Sequence, residues 1–231
     1  MDSFYKNKIA RAWWWKIIAI VCLVYTCYYG FIGEVPAMVV LHETIRNLYF
    51  HVTMWMAMML LMLINAIYSI KYLSSLDRYH DIVAEESGKM AMVFSAAGLI
   101  TGMVWANYTW GAPWTNDPQL NGTAATILMY AAYFILRSAI PDENKKAKIA
   151  SVYAIFAFVM MFVFIMVIPK MYNSLHPGKG GNPGFNKYDL DSNMRMVFYP
   201  AVIGWCLLGT WLMSLNVRIR RIIEITEENS L

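Results

Sequence analysis

Long runs of apolar residues, separated by shorter polar stretches, divide this chain into six segments. A helix that crosses a hydrocarbon core about 30 Å thick needs roughly 20 apolar residues. The two-residue alternation of membrane barrel strands does not run through these segments, so helices are favoured over strands. The pattern predicts six membrane-spanning helices, of which the fourth is the shortest, at residues 13–33, 48–70, 90–110, 124–140, 149–168 and 197–217.

Composition supports the same class. Hydrophobic residues make up 59% of the chain and charged residues only 15%, whereas about a quarter of the residues of a soluble domain are charged. We find no separate soluble domain and no internal repeat. The sequence therefore predicts an all-α integral membrane protein, a six-helix bundle in which residues 1–231 form a single membrane domain.

The distribution of lysine and arginine orients this bundle. Basic residues precede the first apolar run, which is expected to be a retained span because it is too long for a signal peptide. With both termini inside, the inner side carries Lys6, Lys8, Arg11, Lys16, Lys71, Arg78, Lys89, Arg137, Lys145, Lys146, Lys148, Arg218, Arg220 and Arg221. The outer side carries Arg46, Lys170, Lys179, Lys187 and Arg195.

This asymmetry obeys the positive-inside rule and predicts cytoplasmic termini, with outer loops at residues 34–47, 111–123 and 169–196. The net charge of +4 is thus a signal of topology and gives no reason to expect nucleic-acid binding. The bilayer is the expected environment, in the inner (cytoplasmic) membrane of a bacterium.

The connection between the third and fourth spans is unusually aromatic. Residues 105–121 read WANYTWGAPWTNDPQLN, whereas a plain connector only has to satisfy its own backbone in water. Trp110 and Trp114 offer flat apolar area with an N–H group, and Trp105 either does the same or belongs to the interfacial belt. This surplus predicts a flat, apolar ligand at the outer face, and Asp117 either caps a turn or touches that ligand.

Two histidines are predicted to share this face. His51 lies near the outer end of the second span, where an ionisable group is a functional candidate, and Trp55 is one turn further on the same helix face. His176 lies in an outer loop rich in glycine and proline, which shape backbone tightly. Two neutral imidazoles can fill both axial positions of haem iron. His42 and His80 are expected to be structural or surface residues.

These motifs resemble those of the cytochrome c assembly family of haem-handling membrane proteins, and within it the haem exporter C subunits. That family has a periplasmic loop of the form WGxxWxWDxRLT, to which Trp110, Gly111, Trp114, Asp117 and Leu120 correspond. Its Arg and His five residues apart are similar to Arg46 and His51. Its TLHxP-like loop is similar to residues 174–177, which include His176. The resemblance covers nearly the whole chain.

The resemblance implies a function. Haem of the b type, bound transiently and without a covalent bond, would be held by His51 and His176 and passed to a periplasmic haem chaperone. The implied partners are this chaperone, ABC-type transporter subunits and a small membrane subunit of a cytochrome c maturation complex. A conventional enzyme is not expected, with assistance to covalent haem attachment on the chaperone left open.

The chain departs from the family pattern in the second half of the loop. Asn116 and Gln119 stand where the family has Trp and Arg, so one cation that could pair with a haem propionate is missing, since glutamine carries no charge. The remaining candidates for the propionates are the outer-side bases Arg46, Lys170, Lys179, Lys187 and Arg195.

Three rival functions stay open at this point. They are a cytochrome c synthase core, a b-type cytochrome or quinone-reactive membrane anchor, and a permease subunit whose tryptophan loop docks a partner. No CxxCH motif occurs, so the chain is not itself a c-type cytochrome. No P-loop occurs either, so any ATP-driven step belongs to another subunit.

Overall fold

The computed structural model describes residues 8–36, 41–177 and 190–228, and all of the regular secondary structure in these ranges is helical. A short helix α1 (Lys8–Arg11) precedes α2 (Trp14–Ile32), and a 3₁₀ helix (His42–Tyr49) leads into α3 (His51–Ser75). Then follow α4 (Arg78–Trp110), α5 (Pro118–Ala139) and α6 (Glu143–Phe162). A π-helix (Val163–Val167) continues α6 into α7 (Ile168–Met171), and α8 (Ser192–Glu228) closes the described chain.

Within the described ranges, five helical segments are long and apolar enough to cross a membrane, so the protein is a multi-pass membrane protein. They are Trp14–Ile32, His42–Ser75, Arg78–Trp110, Glu143–Met171 and Ser192–Glu227. The predicted fourth span overlaps α5, which is not among these five segments. Its inward face carries polar residues three or four positions apart that are all buried, namely Thr123, Thr126, Tyr130, Tyr133 and Arg137.

The centre of the bundle is built from α3, which packs most extensively on α4 and also contacts α6 and α8. Small and flexible side chains fill this region: Ala57, Met58, Leu61 and Met62 of α3 are completely buried. Methionine adapts to irregular gaps between helices, and Met58 and Met62 have that packing role here. Helix α2 is peripheral and packs mainly on α8.

The connection between α3 and α4 differs from its prediction. The charged sequence of residues 75–89, SLDRYHDIVAEESGK, predicts a solvated loop, but α4 already begins at Arg78, and Asp81 is completely buried. The Arg137 guanidinium pairs with both Asp81 oxygens at 2.7 and 3.0 Å and with Glu85 at 2.8 Å. A run of charged residues indicates a solvated loop only where no buried residue of opposite charge can pair with it. Here Arg137 of α5 is such a residue.

Candidate functional site

A cavity of about 650 Å³ opens among the start of α3, the end of α4, the start of α5 and the segment that follows α7. This volume lies within the range of about 300–1,000 Å³ that is typical of small-molecule sites. Its walls include both predicted iron ligands, His51 and His176, although 125 positions separate them in the chain. The other predicted site residues on its walls are Trp55, Trp105, Trp110, Trp114, Gln119 and Leu120.

The ring of His51 is fixed by α4. Its Nδ1 lies 2.9 Å from the carbonyl oxygen of Gly98 and 3.3 Å from Oγ1 of Thr101. A carbonyl oxygen can only accept, so Nδ1 carries the proton and donates it there. Nε2 then keeps its lone pair, and it makes no hydrogen bond with any described residue. This is the tautomer in which an imidazole ligates a metal through Nε2.

The ring of His176 is fixed by a carboxylate. Its Nδ1 lies 3.1 Å from Oδ1 of Asp117, which is almost fully buried. Burial alone would raise the pKa of Asp117. Hydrogen bonds from His176 and from the backbone N–H groups of Leu175 and Gln119 instead hold that pKa well below its ordinary value. The carboxylate is therefore ionised at neutral pH, so Nδ1 of His176 is the donor in this contact, which places the lone pair of the neutral imidazole on Nε2.

Asp117 accordingly performs the first of its two predicted roles. Its carboxylate caps α5 by accepting from the backbone N–H of Gln119 at 2.8 Å, and it also accepts from the N–H of Leu175 at 2.7 Å. It lies behind the cavity wall and orients His176 from there. A carboxylate that receives the second nitrogen of a histidine is the usual outer partner of a metal-ligating imidazole.

The tryptophans of the loop form one aromatic wall. Trp105 and Trp110 meet edge to face with ring centroids 5.1 Å apart, and Trp110 meets His176 in the same way at 4.9 Å. Trp114 is 39% exposed and stands at the outer rim. Gly111 adopts a left-handed conformation (φ 78°) that ends α4, a conformation that glycine takes without strain. It turns the chain and is not on the cavity wall.

Two glycines of α4 make room for the α3 side chains, and the sequence analysis missed both. A Cβ atom on Gly102 would lie 2.5 Å from Cε1 of His51, and one on Gly98 would lie 2.9 Å from Trp55. Because the two glycines are one turn apart, they face the His51–Trp55 pair, which has the same spacing. The correspondence between the two glycines and these two side chains can be seen only once the packing of α3 against α4 is known.

The substitution Gly102→Ala is expected to displace the His51 ring, because helical backbone on both sides cannot relax by the required distance. We expect at least a tenfold weaker affinity for a ligand that His51 binds. Ligand titration of the purified variant in detergent measures the change. Gly209→Ala in α8, where an added Cβ meets Leu61 and Phe94 at 3.1 Å outside the cavity wall, is the matched control for general packing damage. Equal losses in the two variants would contradict the prediction.

The floor of the cavity includes the π-helix, through Ile165 and Met166. Pro169 has no N–H group to donate four residues back, which favours a local departure from α geometry. The π-helix also brings the carbonyl oxygen of Phe164 against α5. A Cβ atom on Gly122 would lie only 2.2 Å from that oxygen, so only glycine fits at this position. A π-helix in an apolar helix has no signature in the hydropathy pattern, so sequence reasoning did not find it.

Three of the five predicted basic residues are described, and they lie apart from the cavity. Arg46 donates to the carbonyl oxygens of Gly30 and Gly33 and pairs with Glu43, so it ties the end of α2 to the 3₁₀ helix. Arg195 donates to the carbonyl of Leu190, and Lys170 is exposed. None of these three lines the cavity. Lys179 and Lys187 lie outside the described residues, so a propionate role for any of the five stays a prediction.

Comparison with known proteins identifies the family of the chain. A model of the family described as "Heme exporter protein C" matches residues 2–230. The chain is 23% identical to "Heme exporter protein C" of Paracoccus denitrificans over 77% of its own length and 74% of that protein. It is 25% identical to the Haemophilus influenzae protein of the same name over 57% of its own length, which spans about half (53%) of that relative.

A third relative carries a different name. The chain is 28% identical to "Cytochrome c biogenesis protein CcsA" of Prochlorococcus marinus over 38% of its own length and 28% of that protein. The family model, by contrast, matches residues 2–230, a range that contains both histidines and the tryptophan loop. The chain belongs to the heme exporter protein C family.

Proposed function

We propose that the protein holds haem at the outer face of the membrane, as part of cytochrome c maturation, with His51 and His176 as the two iron ligands. One observation carries this proposal: the two imidazoles line the same aromatic cavity, and each has Nδ1 engaged and Nε2 available. Neutral imidazole nitrogens of this kind are the axial ligands of b-type haem.

The walls fit the rest of the porphyrin. A porphyrin is a wide apolar plate, so its site needs flat apolar area and few charges. Trp55, Trp105, Trp110 and Trp114 provide that area. Trp114 at the exposed rim is placed to present the edge of the plate to a partner, whereas Trp110 packs against the ligand histidine. The names of the relatives, heme exporter and cytochrome c biogenesis proteins, support haem as the cargo.

We further propose six spans, with α5 as the fourth. Helix α5 has 22 residues, or about 33 Å at 1.5 Å per residue, enough for the hydrocarbon core. It runs antiparallel to α4, because Arg137 near its end meets Asp81 near the start of α4, while Gln119 and Trp110 share the cavity at the opposite ends. Six crossings return the chain to its starting side, with both termini cytoplasmic and the cavity periplasmic in the inner membrane.

Delivery is the second part of the proposal. A periplasmic haem chaperone would receive haem from the exposed side of the tryptophan loop and make its own covalent bond to a haem vinyl group. ABC-type transporter subunits and a small membrane subunit would complete the maturation complex. Loaded protein mixed with the chaperone should lose its haem spectrum at the rate at which the chaperone gains one.

Histidine substitution tests the ligand pair. The purified protein is expected to show a Soret band and the sharp α and β bands of low-spin, six-coordinate iron. His51→Ala and His176→Ala should each give a five-coordinate or strongly weakened spectrum, and the double variant should bind no haem. The measurement is the visible spectrum at matched protein concentration, after growth with ample haem.

His42→Ala and His80→Ala are matched controls, since these side chains lie outside the cavity wall, and they should keep the native spectrum. A wild-type protein without a Soret band would overturn the proposed function, and would exclude the b-type cytochrome as well. A permease subunit without haem would then be the remaining alternative function. Haem that survives in the double variant would overturn the ligand assignment alone.

A further inference from the structure

The π-helix between α6 and α7 lies where the chain leaves the bundle towards His176. Its defining hydrogen bond runs from the backbone N–H of Ile168 to the carbonyl oxygen of Val163, five residues back. Single π-turns of this kind are frequent at functional sites. Two residues of this turn, Ile165 and Met166, form part of the cavity wall. The π-helix therefore belongs to the ligand site as well as to the bundle.

The carbonyl oxygen of Phe164 is turned out of the helix by this arrangement. In an α-helix it would accept from Ile168, whose N–H donates to Val163 instead, and Pro169 has no N–H to donate. The oxygen lies against α5 at Gly122, where an added Cβ atom would overlap with it. Contacts between a Cα–H group and a carbonyl oxygen recur where helices pack. Glycine at position 122 therefore lets the π-helix lie directly on α5.

Helix α5 also holds the segment that carries His176. The Asp117 carboxylate accepts from the backbone N–H of Leu175 at 2.7 Å and from Oγ of Ser174 at 3.0 Å, besides Nδ1 of His176 at 3.1 Å. Between these contacts and the π-helix, α7 packs on α5 as well. The chain after α6 thus meets α5 at two points, first at Gly122 and then at Asp117.

The helical register between these two points decides whether both contacts form. One residue of α-helix advances the chain by about 1.5 Å and turns it by about 100°. An α-helical turn at residues 163–167 would therefore shift α7 and the segment after it by about one residue. Hydrogen bonds to a carboxylate tolerate only a few tenths of an ångström. The contacts of Asp117 with residues 174–176 accordingly depend on the π-helix.

We propose that Gly122 and the π-helix position His176, by setting the register at which its ring meets Asp117 and faces the cavity. This inference rests on the proposed function, because its consequence is measured at the haem iron. Gly122 is not on the cavity wall and lies five residues beyond Asp117 in the chain. A substitution there is expected to change the iron coordination while leaving the wall itself intact.

A double-mutant cycle tests this, with visible spectra and Soret titrations in detergent. Gly122→Ala should turn the six-coordinate spectrum into a five-coordinate one. It should weaken haem binding by about 10- to 100-fold, the range for losing a partner that orients a metal-ligating histidine. In the His176→Ala background it should change the affinity by less than about threefold, because the ligand through which it acts is already absent. In the His51→Ala background it should abolish haem binding.

Two further measurements separate positioning from general packing damage. Free imidazole added to haem-loaded Gly122→Ala should restore the six-coordinate spectrum, because it occupies the position that His176 has left. Gly204→Ala is the matched control, since an added Cβ atom there meets Cys22 and Leu23 of α2 at 3.1 Å, away from the cavity wall. This control should keep the wild-type spectrum and affinity.

Pro169→Ala takes the place of Gly122→Ala in the cycle if the latter does not fold. Alanine supplies the missing N–H and removes the proline ring, which favours α geometry, so a smaller change of the same kind is expected. A six-coordinate spectrum kept by whichever variant folds would overturn the proposal, as would an equal loss of affinity in the His176→Ala background. Either result leaves the proposed function standing, whereas a wild-type protein without a Soret band would overturn both.

Discussion

Replacing Asp117 with alanine should weaken haem binding by about 10- to 100-fold, the usual cost of losing the outer partner of a metal-ligating histidine. The carboxylate orients the His176 ring through Nδ1 and, as an ionised partner, makes the ring a better donor to iron. Because the pKa of Asp117 lies well below its ordinary value, this support is present at neutral pH and is lost only as the pH falls through that depressed value. Haem titration by visible spectroscopy measures the loss.

Asparagine at the same position separates the two roles of the residue. Asparagine is as good an N-cap as aspartate, so Asp117→Asn should keep the start of α5, whereas Asp117→Ala should also lose about 1 kcal/mol of stability. Without the negative charge, ferric haem is stabilised less, so the midpoint potential of the bound iron should rise in Asp117→Asn. A variant with unchanged potential and unchanged affinity would show that the carboxylate only caps the helix.

Sequence reasoning located the parts of the site but not how they meet. Apolar runs predict the spans, and the positions of lysine and arginine predict a common outer face for His51, His176 and the tryptophan loop. The structure brings these side chains to one cavity. The contact between Asp117 and His176 could not be predicted, because a loop aspartate after asparagine and before proline is equally well explained as a turn residue.

The other features that the sequence did not predict depend on how one helix packs against another. The hydropathy of α4 does not reveal that Gly98 and Gly102 face Trp55 and His51, because that requires the relative rotation of two helices. The same holds at the inner end, where the charged residues after α3 read as a solvated loop. Their burial depends on Arg137, which is 56 positions further along the chain than Asp81. Periodicity indicates which face of a helix is apolar, but not which residues of another helix lie against it.

The cluster around Arg137 carries the largest expected effect on stability. Arg137→Leu should lower the free energy of unfolding by about 3–5 kcal/mol, because it leaves the completely buried carboxylate of Asp81 poorly compensated. Arg78 also pairs with Asp81, so the lower end of that range is expected.

Unfolding in mixed detergent micelles measures the loss, and the double variant Arg137→Leu, Asp81→Leu should recover part of it, since no buried charge is then left at that pair. The matched control is Lys146→Leu, whose partner Glu143 is 56% exposed; such a pair contributes about 0–1 kcal/mol. Equal losses of stability in the Arg137 and Lys146 variants would mean that water reaches the ion pairs of Arg137 with Asp81 and Glu85. The sequence prediction of a solvated loop would then be correct. A loss confined to Arg137 would show that its ion pair with Asp81 fixes the end of α5 against the start of α4, and so helps to set the position of the opposite end of α5 beside the cavity.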